Sequence, residues 1–272
     1  MKKRLILILP IIITLAGLVL VSYPIVGNVC SYFHSTATID QYSANVNELT
    51  KEEIEEAKAK AQAYNESNAN DGHYDALNLG DVISYIDIPS ISVYLPIYDN
   101  TKEDTLMKGV GHLENTSLPV GGKRTHCVLT AHSGLTTATM FTNLEDLEEG
   151  DIFKLHTLDE ILTYEVDRIV VSLPELVTDY FTVSPEEDYV TLMTCTPTGV
   201  NTHRLLVRGH FIEKEIVELE SSEPTETPTS TADEINKNNI KNSNIQFIGT
   251  LIVAVLLTLI VVILILKKKN RE

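Results

Sequence analysis

Two uncharged apolar runs lie near the ends of the 272-residue chain and predict membrane-spanning helices. Residues 5–21 form the first run, and residues 247–266 form the second, which at 20 residues matches the length that crosses a bilayer core. Lys and Arg flank both runs on the terminal side, so we expect both termini in the cytoplasm and the middle outside the cell. This gives an N-terminal transmembrane anchor at 1–26, a C-terminal one at 245–266 and a cytoplasmic basic tail at 267–272.

A cleaved signal peptide is the alternative interpretation of the first run. Its apolar stretch is longer than a typical signal-peptide core, and the nearby small-residue sequence Ser35-Thr36-Ala37 lies far downstream. We therefore favour an uncleaved anchor, which makes the chain a two-pass protein of the cell membrane.

The segment 27–78 is an N-terminal extension in which residues 47–64 predict a helix. Thr50 and Glu53 have the spacing of a capping box, and one face carries the apolar residues Ile54, Ala57, Ala61 and Tyr64. Because this face is thin, we expect a stalk or a helix that lies on the main domain. Residues 65–72 are polar and rich in turn formers, which favours a boundary there.

From residue 79 to 212 the pattern changes to short apolar, β-branched runs separated by turn residues. The predicted strands are 82–88, 92–97, 125–131, 152–158, 162–171, 189–195 and 203–211. Seven or more short strands with few helices predict a mainly β domain, either a barrel or a sandwich. Residues 139–147 predict a helix of one or two turns.

The segment 213–244 is first acidic and then polar, with almost no apolar residues. Such a composition cannot bury a core, so we expect a disordered tether between the β domain and the second anchor.

Charge narrows the choice of partners. The chain has 38 acidic and 21 basic residues, a formal charge of −17, and seven of the basic residues and one acidic residue, Glu272, lie at the extreme ends. The middle of the chain then holds 14 basic and 37 acidic residues, a formal charge of −23. Binding to nucleic acid depends on neutralising phosphates with Lys and Arg, so a nucleic-acid partner is not expected.

The three cysteines, Cys30, Cys127 and Cys195, cannot all be paired within the chain. Cys127 lies within an apolar run and is interpreted as a small core residue. Cys195 ends an apolar run and precedes a turn, and an unpaired thiol outside the cell suggests use rather than packing.

A nucleophilic Cys195 needs a base and an anion stabiliser. His132 closes the run 125–131 and precedes a glycine, so a strand end can present it to a pocket. Arg204 follows Cys195 by nine residues across a turn, so neighbouring strands can bring the two together. In this hypothesis the Cys195 thiolate attacks a carbonyl, the His132 imidazolium protonates the leaving amine, and Arg204 donates to the oxyanion.

The residues alone leave alternatives open. Arg208 lies four positions after Arg204, on the same face of a regular strand, and His112, His126 and His203 also lie near turns or strand ends. Cys195 and His203 form a single pair without a Cys-x-x-Cys motif, so no metal and no cofactor is expected.

The ordered motifs resemble those of the sortases, the membrane-anchored cysteine transpeptidases of Gram-positive bacteria. The family's T-L-x-T-C signature appears as Thr191-Leu192-Met193-Thr194-Cys195, its histidine matches His132, and its arginine matches Arg204. The finer pattern and the second anchor resemble class C, the pilus-assembling group. The segments that carry this finer pattern are 109–112, 117–122, 194–199 and 201–209.

The resemblance implies a closed, mostly antiparallel β-barrel of eight strands. It also implies cleavage of an L-P-x-T-G-like sorting signal between Thr and Gly through a thioester on Cys195. The acceptor would be an amine, either a pilin lysine or, as the alternative, a cell-wall peptide amine. A third alternative, from another class of protein, is a tethered barrel that binds partners without catalysis.

The chain departs from class C at three places. Class C sortases usually carry a lid with an Asp-Pro-aromatic anchor, but residues 40–80 contain no such tripeptide and have Asp71-Gly72-His73-Tyr74 in the neighbourhood. Ser133 follows the histidine where Arg is frequent, and Thr198 stands where an aromatic residue is common. None of these departures changes the three proposed catalytic positions.

Overall fold

The computed structural model describes residues 2–67, 77 and 80–217. The second predicted anchor, the basic tail, most of the tether and the Asp71–Tyr74 neighbourhood therefore lie outside the described residues.

The first helix, α1, spans Lys2–Asn47. Its segment Ile12–Asn47 is long and apolar enough to cross a membrane, a property that signal sequences share. The chain divides into two compact units, and residues 31–47 of α1 belong to the unit that holds the β domain.

Eight strands of the described residues form a closed barrel, as the resemblance implied. The strands are β1 (Val82–Ile88), β2 (Val93–Tyr98), β3 (Val110–His112), β4 (Thr125–Thr130), β5 (Ile152–Thr157), β6 (Glu160–Ser172), β7 (Asp188–Thr196) and β8 (His203–Ile216). Around the barrel their order is β1-β2-β3-β4-β7-β8-β6-β5, and β5 pairs with β1 to close it. The pairs β2–β3 and β4–β7 are parallel, and the others are antiparallel.

Alternation along the strands separates the core from the outer face of the barrel. Leu129 of β4, Val190 and Leu192 of β7, and Leu205 and Val207 of β8 all belong to one buried apolar cluster. The residues between them on these strands must therefore point away from the core.

The N-terminal extension packs on the barrel rather than standing away from it. Helix α2 spans Lys51–Ser67 and contributes Ile54, Ala61 and Tyr64 to the barrel core, so the interpretation as a helix on the main domain is confirmed. The predicted capping box is present as well. The N–H of Thr50 donates to Oε2 of Glu53 at 2.8 Å, and the N–H of Glu53 donates to Oγ1 of Thr50 at 3.3 Å.

Two polar contacts fix these helices in place. The Oη of Tyr42 in α1 donates to the carbonyl of Ile83 and accepts from the N–H of Leu158, at 3.2 and 2.9 Å. At the end of α2 the side-chain amide of Asn65 pairs with both backbone groups of Leu118, at 2.7 and 3.2 Å. Each side chain forms hydrogen bonds with buried backbone N–H and C=O groups, which would otherwise need partners in a neighbouring strand.

Most predicted elements match the structure to within two residues, and the differences have local causes. Strand β3 was missed because it has three residues and two glycines near it, which gives no recognisable alternation. The helix predicted at 139–147 is a 3₁₀ helix at Thr142–Asp146. The helix α3 (Glu103–Leu106) and the 3₁₀ helices Pro89–Ile91 and Pro174–Tyr180 were not predicted.

Strand β8 continues to Ile216, four residues beyond the predicted end of the barrel domain at 212. Residues 213–216 pair with Glu160, Ile161, Leu162 and Thr163 of β6. Backbone pairing holds this exposed, charged segment in the sheet although it has little apolar surface to bury.

A cluster of charges anchors α2 to the turn between β5 and β6. The Nζ of Lys58 lies 2.7 Å from Oδ1 of Asp159 and 3.0 Å from Oε1 of Glu160, and all three side chains are at most 15% exposed. Glu160 is also paired with Nζ of Lys214 at 3.1 Å, so Asp159 is the carboxylate whose charge compensation depends on Lys58.

We predict that Lys58→Met lowers the free energy of unfolding by about 3 kcal/mol, because the largely buried Asp159 loses its cation and Glu160 keeps only Lys214, at 3.1 Å. Lys60→Met is the matched control, since Lys60 pairs with Glu56 on the exposed side of the same helix and should contribute less than about 1 kcal/mol. Urea unfolding of the full chain in detergent micelles measures both. Equal effects of the two substitutions would contradict the anchoring role of Lys58.

Candidate active site

Strands β7 and β8 place Cys195 and Arg204 directly opposite each other. In the antiparallel register Cys195 pairs with Arg204, and Thr196 pairs with His203. Residues paired in this way have Cα atoms about 5 Å apart and side chains on the same face. Their neighbours Leu192, Leu205 and Val207 face the core, whereas Cys195 and Arg204 are half-buried on the outer face.

Strand β4 brings His132 to the other side of Cys195. The parallel register sets Thr130 beside Met193, and the N–H of Ala131 still donates to the carbonyl of Met193 at 3.2 Å beyond the end of the strand. The Oγ of Ser133 then donates to the carbonyl of Cys195 at 2.6 Å. Continued past Thr130, this register sets residues 131–133 alongside 194–196. His132 is then beside Cys195, so His132, Cys195 and Arg204 form one row across three strands.

Hydrogen bonds hold the backbone around the cysteine. Besides the bond from Ser133, the Oγ1 of Thr194 donates to the carbonyl of Ala131 at 2.8 Å. The N–H of Phe141 donates to the carbonyl of His132 at 3.0 Å, so the loop after β4 folds back over the histidine. Ser133 is thus a support of the site, which the sequence offered only as a departure from the class C pattern.

The ring of His132 has a buried nitrogen without a hydrogen bond. Its Nε2 atom is buried and makes no hydrogen bond to any residue in the described part of the chain. The Oε1 atom of Glu103 lies 3.4 Å from it, within the range of an ion pair. Sequence reasoning did not find Glu103, which lies 29 positions before the histidine.

The two candidate arginines differ in their partners. Arg208 donates from Nε and Nη2 to the two carboxylate oxygens of Asp167, at 2.9 and 2.7 Å, and lies over the ring of Tyr189 at 4.1 Å from its centroid. Arg204 donates from Nη1 to the carbonyls of Asn201 and His203, at 3.3 and 3.1 Å. No carboxylate of the described residues forms a salt bridge with Arg204, so its charge is available to a substrate.

The other candidate cysteine and one of the other candidate histidines are buried in the fold, away from the row. Burial raises the pKa of the Cys127 thiol well above its ordinary value, and the residue belongs to the barrel core. Burial lowers the pKa of His112 to about 4, and its Nε2 lies 2.9 Å from the carbonyl of Ser117.

His126 shares the outer face of β4 with His132 but lies far from the cysteine. Its register partner on β7 is Tyr189, six residues and thus about 20 Å along the strand from Cys195. Its ring nitrogens contact the carbonyl of Thr182 at 3.0 Å and Oγ1 of Thr191 at 2.8 Å, and burial lowers its pKa.

His203 is close to the row without belonging to it. It pairs with Thr196, one position beyond Cys195, and its Nδ1 lies 2.9 Å from Oγ1 of Thr202. No group of three or more His, Cys, Asp or Glu side chains in the described ranges is arranged to hold a metal ion.

Comparison with known proteins gives the family. A model of the sortase domain matches residues 86–212. The solved structure of sortase C from Streptococcus pneumoniae is 42% identical to this chain, with a TM-score of 0.62, and the match covers 65% of this chain and 97% of the other. The chain belongs to the sortase family.

Further relatives define where this sortase lies in the family. Sortase C from Clostridium perfringens, solved with a C-terminal cell wall sorting motif, is 45% identical with a TM-score of 0.62, over 66% of this chain and all of the other. Sortase D of Bacillus subtilis is 27% identical over 205 residues, 72% of this chain and 90% of that protein. The resemblance to class C is confirmed, and the sortase is a cysteine transpeptidase. The alternative of a non-catalytic binding barrel is therefore wrong.

We predict that Arg204→Ala lowers kcat/KM for a sorting-signal peptide about 100-fold, by analogy with the loss of an oxyanion donor, and leaves the fold intact. Arg208→Ala is the matched control on the same face of β8. It should lower the unfolding free energy by about 2 kcal/mol, because Asp167 loses its partner, and change kcat/KM less than about threefold. Peptide-cleavage kinetics and thermal unfolding separate the two effects. If Arg208→Ala abolished activity while Arg204→Ala remained fully active, the oxyanion role would belong to Arg208 and not to Arg204.

Proposed function

We propose that this sortase cleaves an L-P-x-T-G-like sorting signal between Thr and Gly and transfers the acyl group to the amine of a pilin lysine. The observation that carries the proposal is the single row formed by His132, Cys195 and Arg204 at the ends of β4, β7 and the start of β8. A nucleophile, a proton donor and an anion donor are the groups that acyl transfer requires.

In the first half of the reaction the Cys195 thiolate attacks the Thr carbonyl carbon. The carbonyl oxygen takes up the negative charge, and the Arg204 guanidinium donates hydrogen bonds to it. The Thr–Gly C–N bond then breaks, and the leaving amine takes a proton from the His132 imidazolium. The products are a thioester on Cys195 and a neutral imidazole.

In the second half an acceptor amine attacks the thioester. Neutral His132 accepts the proton that the amine releases, the C–S bond breaks, and the thiolate and the imidazolium are restored. Arg204 stabilises the second oxyanion in the same position as the first. The row on the outer face of the barrel suits this sequence, because two macromolecular substrates must reach the sulfur in turn.

The substrates are proposed from the relatives. The Streptococcus pneumoniae sortase C is described in terms of pilin substrate specificity, and the Clostridium perfringens enzyme was solved with a cell wall sorting motif. At 42% and 45% identity these proteins support a sorting signal as the acyl donor and a pilin as the acceptor. A cell-wall peptide amine is the second candidate acceptor, since the same three residues would serve it.

The location is part of the proposal. The apolar part of α1 supports an N-terminal anchor, and the apolar run 247–266 supports a second one. With Lys and Arg outside both runs, the catalytic barrel would face the extracellular side and both termini the cytoplasm.

We predict that full-length protein mixed with an L-P-x-T-G peptide gains the mass of the acyl fragment that ends in Thr. Hydroxylamine should release this fragment, because it cleaves thioesters, and intact-protein mass spectrometry follows both steps. Cys195→Ala should form no adduct, whereas Cys30→Ala, which removes an exposed thiol, should form it normally. Absence of an adduct with every sorting-signal variant, or full activity of Cys195→Ala, would refute the proposal.

A competition experiment between the two candidate amines identifies the acceptor. We predict that, when purified pilin and a wall-peptide mimic are supplied together at equal amine concentration, the acyl fragment appears mainly on a pilin lysine. Gel electrophoresis and peptide mass mapping identify the product. Preferential transfer to the wall peptide would instead assign the protein to cell-wall anchoring, with the thioester chemistry unchanged.

A further inference from the structure

The buried Nε2 of His132 is the unexplained feature of the row. It makes no hydrogen bond to the described residues, yet a buried polar atom normally has a partner. The one acidic group that forms an ion pair with it there is Glu103, at 3.4 Å. With Nε2 directed towards Glu103, Nδ1 is the ring nitrogen left to exchange protons at Cys195.

The fold holds Glu103 at this place. Glu103 begins the helix α3, which belongs to the connection between β2 and β3. The Oδ1 of Asn100 accepts from the N–H of Lys102 at 3.0 Å and from Oγ1 of Thr105 at 2.7 Å, so Asn100 brackets the start of the helix.

Strand β3 then ties this connection to the strand that presents the histidine. A Cβ at Gly111 would lie 2.4 Å from the carbonyl oxygen of Asn100, so only glycine lets β3 approach the loop this closely. Gly111 in turn pairs with Thr130 of β4, two positions before His132.

The charges of the proposed reaction call for an anion on this side. While Cys195 is a thiolate, it lies between two cations, the His132 imidazolium and the Arg204 guanidinium. Once the sulfur is acylated, the imidazole has given its proton to the leaving amine and is neutral as well, and it must take up a proton again from the acceptor amine. A carboxylate beside the ring favours the imidazolium in the states in which it exists, before the leaving amine is protonated and after the acceptor amine has released its proton.

We propose that Glu103 is a positioning residue that orients His132 and stabilises its imidazolium form, a proposal that rests on the function proposed above. Glu103 acts through His132 and does not touch the reacting atoms. Its side chain is 79% exposed, so rotation closes or opens the contact with Nε2, and dissolved salt screens it.

The test compares Glu103→Gln with Asp104→Asn in the full-length protein in detergent micelles. Both substitutions remove one negative charge from the first turn of α3, but only Glu103 contacts the histidine. We expect Glu103→Gln to lower kcat/KM for a sorting-signal peptide about three- to tenfold at neutral pH, as an exposed charge pair allows. The alkaline limb of its pH profile should move to lower pH, because the imidazolium loses its counter-charge.

Glu103→Asp should recover part of the rate, and Asp104→Asn should match the unchanged protein in rate and profile. The difference between Glu103→Gln and the unchanged protein should shrink at 1 M salt, where screening acts over about 3 Å. A rate loss that is equal at all pH values, an equal loss in both variants, or no loss would each overturn the proposal.

The thioester measurement tests the proposed function independently of the role of Glu103. If Cys195→Ala forms no adduct while Glu103→Gln behaves like the unchanged protein, the function stands and the role of Glu103 is rejected. If Cys195→Ala retains activity, the proposed function itself fails.

Discussion

The parallel pairing of β4 with β7 is the constraint on which the site depends. Because the two strands run in the same direction, their carboxyl ends meet at one edge, and β7 turns back there into β8. A shift of β4 by one residue would turn His132 towards the core and leave Ala131 on the outer face. The bond from Ser133 to the Cys195 carbonyl and the bond from Thr194 to the Ala131 carbonyl fix this register beyond the last ladder pair.

The second organising feature is the division between cations that are neutralised and those that are not. Lys58 and Arg208 are matched with carboxylates, at 2.7 Å in both cases, and hold elements of the fold together. Arg204 has only carbonyl partners in the described part of the chain and retains its charge for another group. The residue type is the same at 204 and 208, so the neighbours and not the side chain decide which task each performs.

Much of the fold could be predicted from the sequence because long strands with one core-facing side alternate visibly. The β1 range Val82–Ile88 was predicted without error, and the nine-residue spacing of Cys195 and Arg204 became a direct register pair.

The choice between Arg204 and Arg208 could not be made in this way. Asp167 lies 41 positions from Arg208 in the sequence, and only the β6–β8 pairing brings the two side chains into contact. Glu103 was equally out of reach, because its approach to His132 depends on the path of the β2–β3 connection. Strand β3, with three residues, is too short to carry a periodic signal.

The alternation of β7 and β8 gives the two faces of the sheet separate tasks. Leu192, Leu205 and Val207 build the interior, while Cys195 and Arg204, interleaved with them in the sequence, lie on the outer face, which we propose is the reactive one. Substitutions on one face therefore need no compensating change on the other. A scaffold with this separation can acquire a different acceptor preference by changing outward residues one at a time, without passing through misfolded intermediates.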